Sequence, residues 1–249
     1  MTVYFVGAGP GDPKLITVRG QEILRRANVC IWAGSLVNPA LLQELPPGAE
    51  VHDSAELNLD EIIRIMSEAH ARDLDVVRLH TGDPCLYGAI REQQRRLDDA
   101  AIPWEVVPGV SSFQGAAAVL GAELTVPELC QSVVLTRVGG RTKVSSAESL
   151  EAYARTSATL CLFLSADVID EISEQLRPIL GSDCPAAVVY RATWEDQIVV
   201  RGTLATIAEQ VHSAGIRRQA MIVIGRALAN ASVPDSRLYA KEFAHGYRA

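Results

Sequence analysis

The 249-residue sequence contains no Cys-x-x-Cys spacing and no His-x-x-x-His pair. Cys30, Cys85, Cys130, Cys161 and Cys184 are scattered, most of them in or beside apolar runs. That placement suits small core residues in a reducing compartment better than disulfides or metal ligands. His52, His70, His80, His212 and His245 offer no zinc site either. No run of eighteen apolar residues occurs, and the first apolar run is too short, and lacks the basic lead-in, to be a signal peptide. A soluble, cytoplasmic protein is the expectation. No Gly-Lys-Ser/Thr follows the first glycine-rich stretch, which excludes a Walker A loop, and no nucleophilic triad is readable. A formal net charge of −7 disfavours a general nucleic-acid binder.

What is present begins at once. Val3-Tyr4-Phe5-Val6 passes directly into Gly7-Ala8-Gly9-Pro10-Gly11-Asp12-Pro13. This reads as a buried parallel strand ending in a glycine-rich turn, against which something flat or anionic is expected to sit. A dinucleotide fingerprint would need its third glycine where Asp12 stands, and Pro10 removes one of the amides that would face a pyrophosphate. On spacing alone, a strand-to-helix turn with no ligand stays open as well.

Residues Ile16 to Ala27 carry apolar side chains at helical spacing with Thr17 as a cap, and a strand follows at Val29–Trp32. It ends in the small-residue loop Ala33-Gly34-Ser35-Leu36-Val37-Asn38-Pro39. Asn58 with Glu61 three positions on predicts a capped amphipathic helix. The strand Val76–His80 then runs into Thr81-Gly82-Asp83-Pro84-Cys85-Leu86-Tyr87-Gly88, ahead of a helix from about Ala89 to Ala101. Trp104–Val107 is a further strand, closed by Pro108-Gly109-Val110-Ser111-Ser112 and a helix from Phe113 to Leu120. Four strands and four Gly- or Pro-bearing loops predict an α/β domain with a mostly parallel sheet over residues 1–120. Periodicity is lost around Gly121–Leu129, where the junction is placed. Strands are then expected at 132–136, 159–164, 186–190, 198–202 and 220–225. Helices are expected near 148–155, 168–180 and 203–214. The break Trp194-Glu195-Asp196-Gln197 reads as a hairpin, so this second α/β domain, 121–230, should hold a mixed sheet. Residues 231–249 read as a tail.

Taken in order, Val6–Pro13 with Leu15-Ile16-Thr17, Gly82-Asp83-Pro84 with Tyr87-Gly88, and Val107–Ser112 resemble the tetrapyrrole (corrin and porphyrin) methylase family over essentially the whole chain. Within it, Ala33–Pro39, Thr136–Thr142, Tyr190–Trp194, Ser236–Tyr239 and Phe243–Arg248 are similar to the branch that methylates precorrin-4 at C-11. The resemblance implies two α/β domains with S-adenosyl-L-methionine in the cleft between them, and a homodimer. By motif position it implies cofactor contacts at Pro10, Thr81, Gly82, Asp83, Leu86, Ser111, Ser112, Leu164 and Ala192, largely through main-chain groups. The reaction it implies is in-line transfer of an activated methyl to an electron-rich ring carbon, in cobalamin biosynthesis. No metal is expected.

Asp83 is the most chemical-looking residue of the set. It has two open readings, orientation of cofactor or substrate and an N-cap for the following helix. A corrinoid precursor carries many carboxylates, and Arg137, Arg141 and Lys143 flank two glycines just after a strand, where they can present donor forks to them; a solvated hairpin is the other reading. Ser35 and Tyr87 join the candidate substrate contacts. Arg78, Arg91 and Arg191 are weaker candidates, readable as surface charges or ion-pair partners. Trp194 is open between the macrocycle face and packing. Another corrin-ring methylase and a non-catalytic corrinoid-binding protein are the alternatives in function.

Overall fold

The computed structural model describes residues 1–138 and 148–229. The chain divides into two compact units. One comprises Met1–Ala116 together with Arg191–Gln197, and the other begins at Ala117 and takes up the chain again from Ile198. Arg141 and Lys143, and the tail 231–249, lie outside the described residues.

In the first unit five strands are all parallel, in the order β3-β2-β4-β1-β5: β1 (Val3–Gly7), β2 (Val29–Trp32), β3 (Glu50–Asp53), β4 (Val76–His80) and β5 (Trp104–Val107). Helices α1 (Val18–Leu24), α2 (Leu59–Ala71) and α3 (Ile90–Asp99) form the crossovers, and α4 (Ser112–Leu120) follows β5. The central strands are buried on both faces, which is why they read as apolar runs rather than alternating ones. Val6, Cys30, Val77, Leu79 and Val107 pack with Ile23 and Leu24 of α1. Val3, Phe5, Val29, Ile31 and Val76 pack with Ile62, Ile65 and Met66 of α2 and Leu97 of α3. The caps form as the spacing predicts. Thr17 accepts from Gly20 N at 3.1 Å, and Asn58 and Glu61 exchange hydrogen bonds at 3.1 and 2.8 Å.

The four strands expected here are corrected to five. Glu50-Val51-His52-Asp53 is a mostly exposed edge strand, so it has neither an apolar run nor an alternation to reveal it. A six-residue 3-10 helix, Pro39–Glu44, capped by Asn38, was likewise unmarked by any periodicity.

The second unit holds β6 (Val133–Arg137), β7 (Thr159–Phe163), β8 (Pro185–Tyr190), β9 (Ile198–Thr203) and β10 (Ala220–Ile224) in the order β6-β7-β10-β8-β9. Only β6 and β7 run parallel; β10 is antiparallel to β7 and β8, and β8 to β9. The sheet is mixed. Helices α5 (Leu150–Ala154), α6 (Ile169–Leu180) and α7 (Ile207–Ser213) bury Leu150, Ile169, Ile172, Leu176, Ile207 and Val211 against Leu160, Leu162, Val188 and Ile222. No helix among the described residues is long and apolar enough to cross a membrane.

Arg78 is not a surface charge. It lies in β4 on the face packed by α2 and α3, only 7% exposed, with Nη1 donating to Ile31 O at 3.3 Å. Burial pulls its guanidinium down to about 10, against smaller upward pulls from Cys30 and Asp53. His80, two positions on, points to the same side, its ring 6.0 Å from that of Phe5. Burial, helped by the Arg78 charge, lowers its imidazole from 6.5 to about 3, so it is neutral in the folded protein.

The folded chain therefore excludes a proton that the unfolded chain binds below about pH 6.5. Stability from this group is fully present above that pH and is lost as pH falls toward about 3, by up to about 1.4 kcal/mol per pH unit. The drop in denaturation midpoint between neutral pH and about pH 5 should be smaller in His80→Asn than in the wild type. An equal drop would refute the assignment.

Candidate functional site

Because β4, β1 and β5 are neighbours, the loops leaving their carboxyl ends lie side by side, where open parallel sheets place their ligands. Three kinds of contact join them. Gly9 and Gly82 exchange main-chain hydrogen bonds at 3.3 and 2.8 Å, and Ala8 N donates to His80 O at 2.7 Å. Gly7 and Gly109 touch backbone to backbone: a Cβ on Gly7 would stand 2.5 Å from Gly109 Cα, and one on Gly109 would stand 2.2 Å from Gly82 O. No side chain fits at either position.

The third contact is Asp83. Its Oδ1 accepts from Cys85 N at 2.8 Å and its Oδ2 from Gly109 N at 2.9 Å, so one carboxylate shapes its own turn and ties the loop after β5 to the loop after β4. The N-cap reading of Asp83 is thereby corrected. Helix α3 starts only at Ile90, after Ala89 in the left-handed region (φ 49°), and no side chain caps it. The stretch from Thr81 to Ala89 is a long irregular loop in which Tyr87 also has positive φ (56°) and stands half exposed.

Pro10, Gly82, Asp83, Ser111 and Ser112 therefore meet around one sheet end. A Cβ on Gly82 would lie 3.5 Å from both Ser111 Cα and Ser112 N. Thr81, Leu86 and Tyr87 share the loop of Gly82. Ala192 belongs to the same unit, and its carbonyl oxygen would be 2.8 Å from a Cβ on Gly11. Ser35 lies exposed in the turn after β2; further along that turn Asn38 Nδ2 donates to Gly11 O at 3.0 Å. Leu164 and Arg137 are in the other unit, at adjacent carboxyl ends of parallel β7 and β6, where Arg137 is in register with Phe163. Leu164 is 66% exposed with φ 51°, an unusual position for a leucine.

Several of the loop amides are engaged inside the protein. Gly9 N goes to Gly82 O, and Asp12 N to Thr193 Oγ1 at 3.0 Å. The loops 7–13, 81–88 and 108–112 contain no lysine or arginine. Such a set lacks the positive charge of a pyrophosphate cradle and suits a neutral or cationic ligand. The pattern shared by the tetrapyrrole (corrin/porphyrin) methylases matches residues 2–208.

The chain belongs to the tetrapyrrole methylase family. It is 50% identical over 248 residues, covering 100% of this chain and 99% of the relative, to the precorrin-4 C(11)-methyltransferase of Pseudomonas aeruginosa. Among solved structures, a cobalt precorrin-4 methyltransferase described as a cobalamin biosynthetic enzyme superposes with a TM-score of 0.89 at 43% identity, covering 92% of this chain and 96% of that one. The uroporphyrin-III C-methyltransferase of Thermus thermophilus, solved with S-adenosyl homocysteine, reaches 0.75 at 28% identity, covering 92% and 99%.

In this methylase several contacts at the loops escaped sequence reasoning. Asn38 and Thr193 are ordinary turn residues whose partners are remote in sequence, and Trp194, left open between ligand and packing, lies against Gly11. In the second unit Arg217 and Arg218 line a groove of about 370 Å³ with Leu164, Ser165 and Asp167. Adjacent arginines ahead of β10 were the available signal.

Asp83→Ala leaves the Cys85 and Gly109 amides without their acceptor and is expected to lower stability by about 1–3 kcal/mol. Asp83→Asn, keeping one acceptor oxygen, should fall between it and the wild type. Unfolding midpoints measure both, and an unchanged midpoint in Asp83→Ala would count against the tie.

Proposed function

We propose that the protein is an S-adenosyl-L-methionine-dependent methyltransferase that methylates precorrin-4, or its cobalt form, at C-11 in cobalamin biosynthesis. The full-length 50% identity to a precorrin-4 C(11)-methyltransferase carries this reading. The Thermus relative, solved with the demethylated cofactor, supports the cofactor assignment. A set of loops without basic side chains fits a sulfonium cation, and the backbone contacts at Gly7, Gly82 and Gly109 leave only small groups at the sheet end.

When bound, the cofactor supplies an electrophilic methyl group on positively charged sulfur. Pro10, Thr81, Gly82, Asp83, Leu86, Ser111, Ser112, Leu164 and Ala192 hold it, mostly by main chain. Asp83 orients rather than reacts, since both its oxygens already accept amide hydrogens. Holding two reactants in line supplies about 7–11 kcal/mol in favourable cases, which removes the need for a covalent catalyst. Arg137, Arg141 and Lys143 pair with substrate carboxylates, and Ser35 and Tyr87 border the ring. The protein works in the cytoplasm as a homodimer.

Incubation with methyl-labelled cofactor and precorrin-4, with and without cobalt, should place one new methyl at C-11 by mass and NMR. Methylation at another carbon, or tight cofactor binding without transfer, would overturn the assignment in favour of a sister methylase or a carrier. Arg141→Ala should weaken tetrapyrrole binding while S-adenosyl homocysteine affinity stays the same; unchanged tetrapyrrole affinity would remove Arg141 from the site. A solution mass near 26.8 kDa would exclude the dimer.

A further inference from the structure

The segment Arg191–Gln197 is contributed from far along the chain, yet it belongs to the first compact unit. It meets the loop after β1 through three contacts. Trp194 Nε1 donates to Pro10 O at 3.1 Å. Thr193 Oγ1 accepts from Asp12 N at 3.0 Å. The edge of the indole lies so close to Gly11 that a Cβ there would be 2.2 Å from Trp194 Cδ1 and 2.4 Å from Nε1. Beneath Pro10, Gly115 of α4 is constrained too, since a Cβ on it would come within 2.8 Å of the proline ring, with Thr193 Cγ2 in ordinary contact at 3.6 Å. Pro10 is thus held between a helix and this segment.

The segment is itself braced against strain. Thr193 has φ 71° and Arg191 φ 44°, left-handed values that are unfavourable for side-chain-bearing residues and worst for a β-branched one. Such conformations persist only where surrounding contacts over-determine them. Here Thr193 N donates to Gln197 Oε1 at 3.0 Å, Arg191 pairs with Asp196 at 3.0 Å, and the Arg191 guanidinium stacks 4.0 Å over the Trp194 ring. The two strained residues bracket Ala192, whose carbonyl is aimed at Gly11. A segment needed only to fill space would not require two left-handed residues and a fixed indole.

We propose that Trp194 and Thr193 are positioning residues: they set the conformation of Pro10-Gly11-Asp12 and the place of Ala192, and so determine cofactor affinity without touching the reacting atoms. This rests on the reading that Pro10 and Ala192 border S-adenosyl-L-methionine. Trp194→Phe keeps an aromatic ring for the Arg191 stack and removes the donor to Pro10 together with the indole edge against Gly11. Thr193→Val keeps the branched shape and removes the acceptor for Asp12, while Thr193→Ser keeps the acceptor.

The test is calorimetric affinity for S-adenosyl homocysteine, with KM for each substrate and the unfolding midpoint of each variant. Trp194→Phe and Thr193→Val should weaken cofactor affinity and raise its KM about three- to tenfold, the range of one neutral hydrogen bond. KM for precorrin-4 should not move, and Thr193→Ser should behave as wild type. Wild-type cofactor affinity in both damaged variants would overturn the inference alone. So would a loss that Thr193→Ser shares, or one that follows the unfolding midpoint and both substrates equally. Failure of the wild type itself to bind S-adenosyl homocysteine would instead overturn the cofactor reading and the inference with it.

Discussion

The first unit depends on three polypeptide turns coming closer than side chains permit. Gly7, Gly82 and Gly109 lie at the ends of neighbouring parallel strands, and their backbones meet at distances that a single Cβ would violate. Close approach replaces side-chain packing with main-chain hydrogen bonding, and Gly9 and Gly82 form an isolated antiparallel bridge just beyond the parallel strands. Asp83 adds a charged element, a carboxylate whose two oxygens serve amides of two different loops. Charge-assisted bonds of this kind are stronger than neutral ones and hold their partners in fixed directions. The result is a rigid floor built almost wholly from backbone.

That floor explains the character of the site. Many of its amides are engaged within the protein, and its loops carry no basic side chain, so the recognition it offers is of shape and weak polarity rather than of phosphate. Arg78 of the same unit is buried on the opposite side of β4 from α1, beside a His80 that burial keeps neutral. For a reaction in which a cationic sulfur gives up a methyl group, walls free of basic side chains and close placement matter more than an acid or a base.

The Arg191–Gln197 segment completes the same loop system from 181 positions away in the chain, the separation of Thr193 from Asp12. Closing so long a loop costs little more entropy than closing a short one, because the cost grows only with the logarithm of length. A remote segment is therefore an inexpensive way to shape a turn that has no side chains of its own. Local strain at Arg191 and Thr193 is tolerable because an ion pair, a stacked indole and a glutamine amide all restrain the same few residues.

Much of this was legible in the sequence, for reasons that differ by element. The parallel strands of the first unit announce themselves as apolar runs because both faces are buried, and Thr17 and Asn58 mark their helices because capping is local chemistry. Edge strand β3 did not, since exposure leaves no pattern. Gly82, Asp83, Ser111 and Ser112 could be singled out from loop motifs alone, but Asp83 was readable equally as a helix cap, and only the distance from its oxygens to Cys85 and Gly109 settled which amides it serves. Arg78 and Arg191 looked alike in sequence; one is buried in a strand and the other is stacked on a tryptophan. The sequence by itself determined what depends on near neighbours along the chain, namely periodicity, caps and turn chemistry. Tertiary structure decided what depends on distant partners: which glycines touch, where a carboxylate's second oxygen goes, and that a tryptophan at position 194 shapes a turn at position 11.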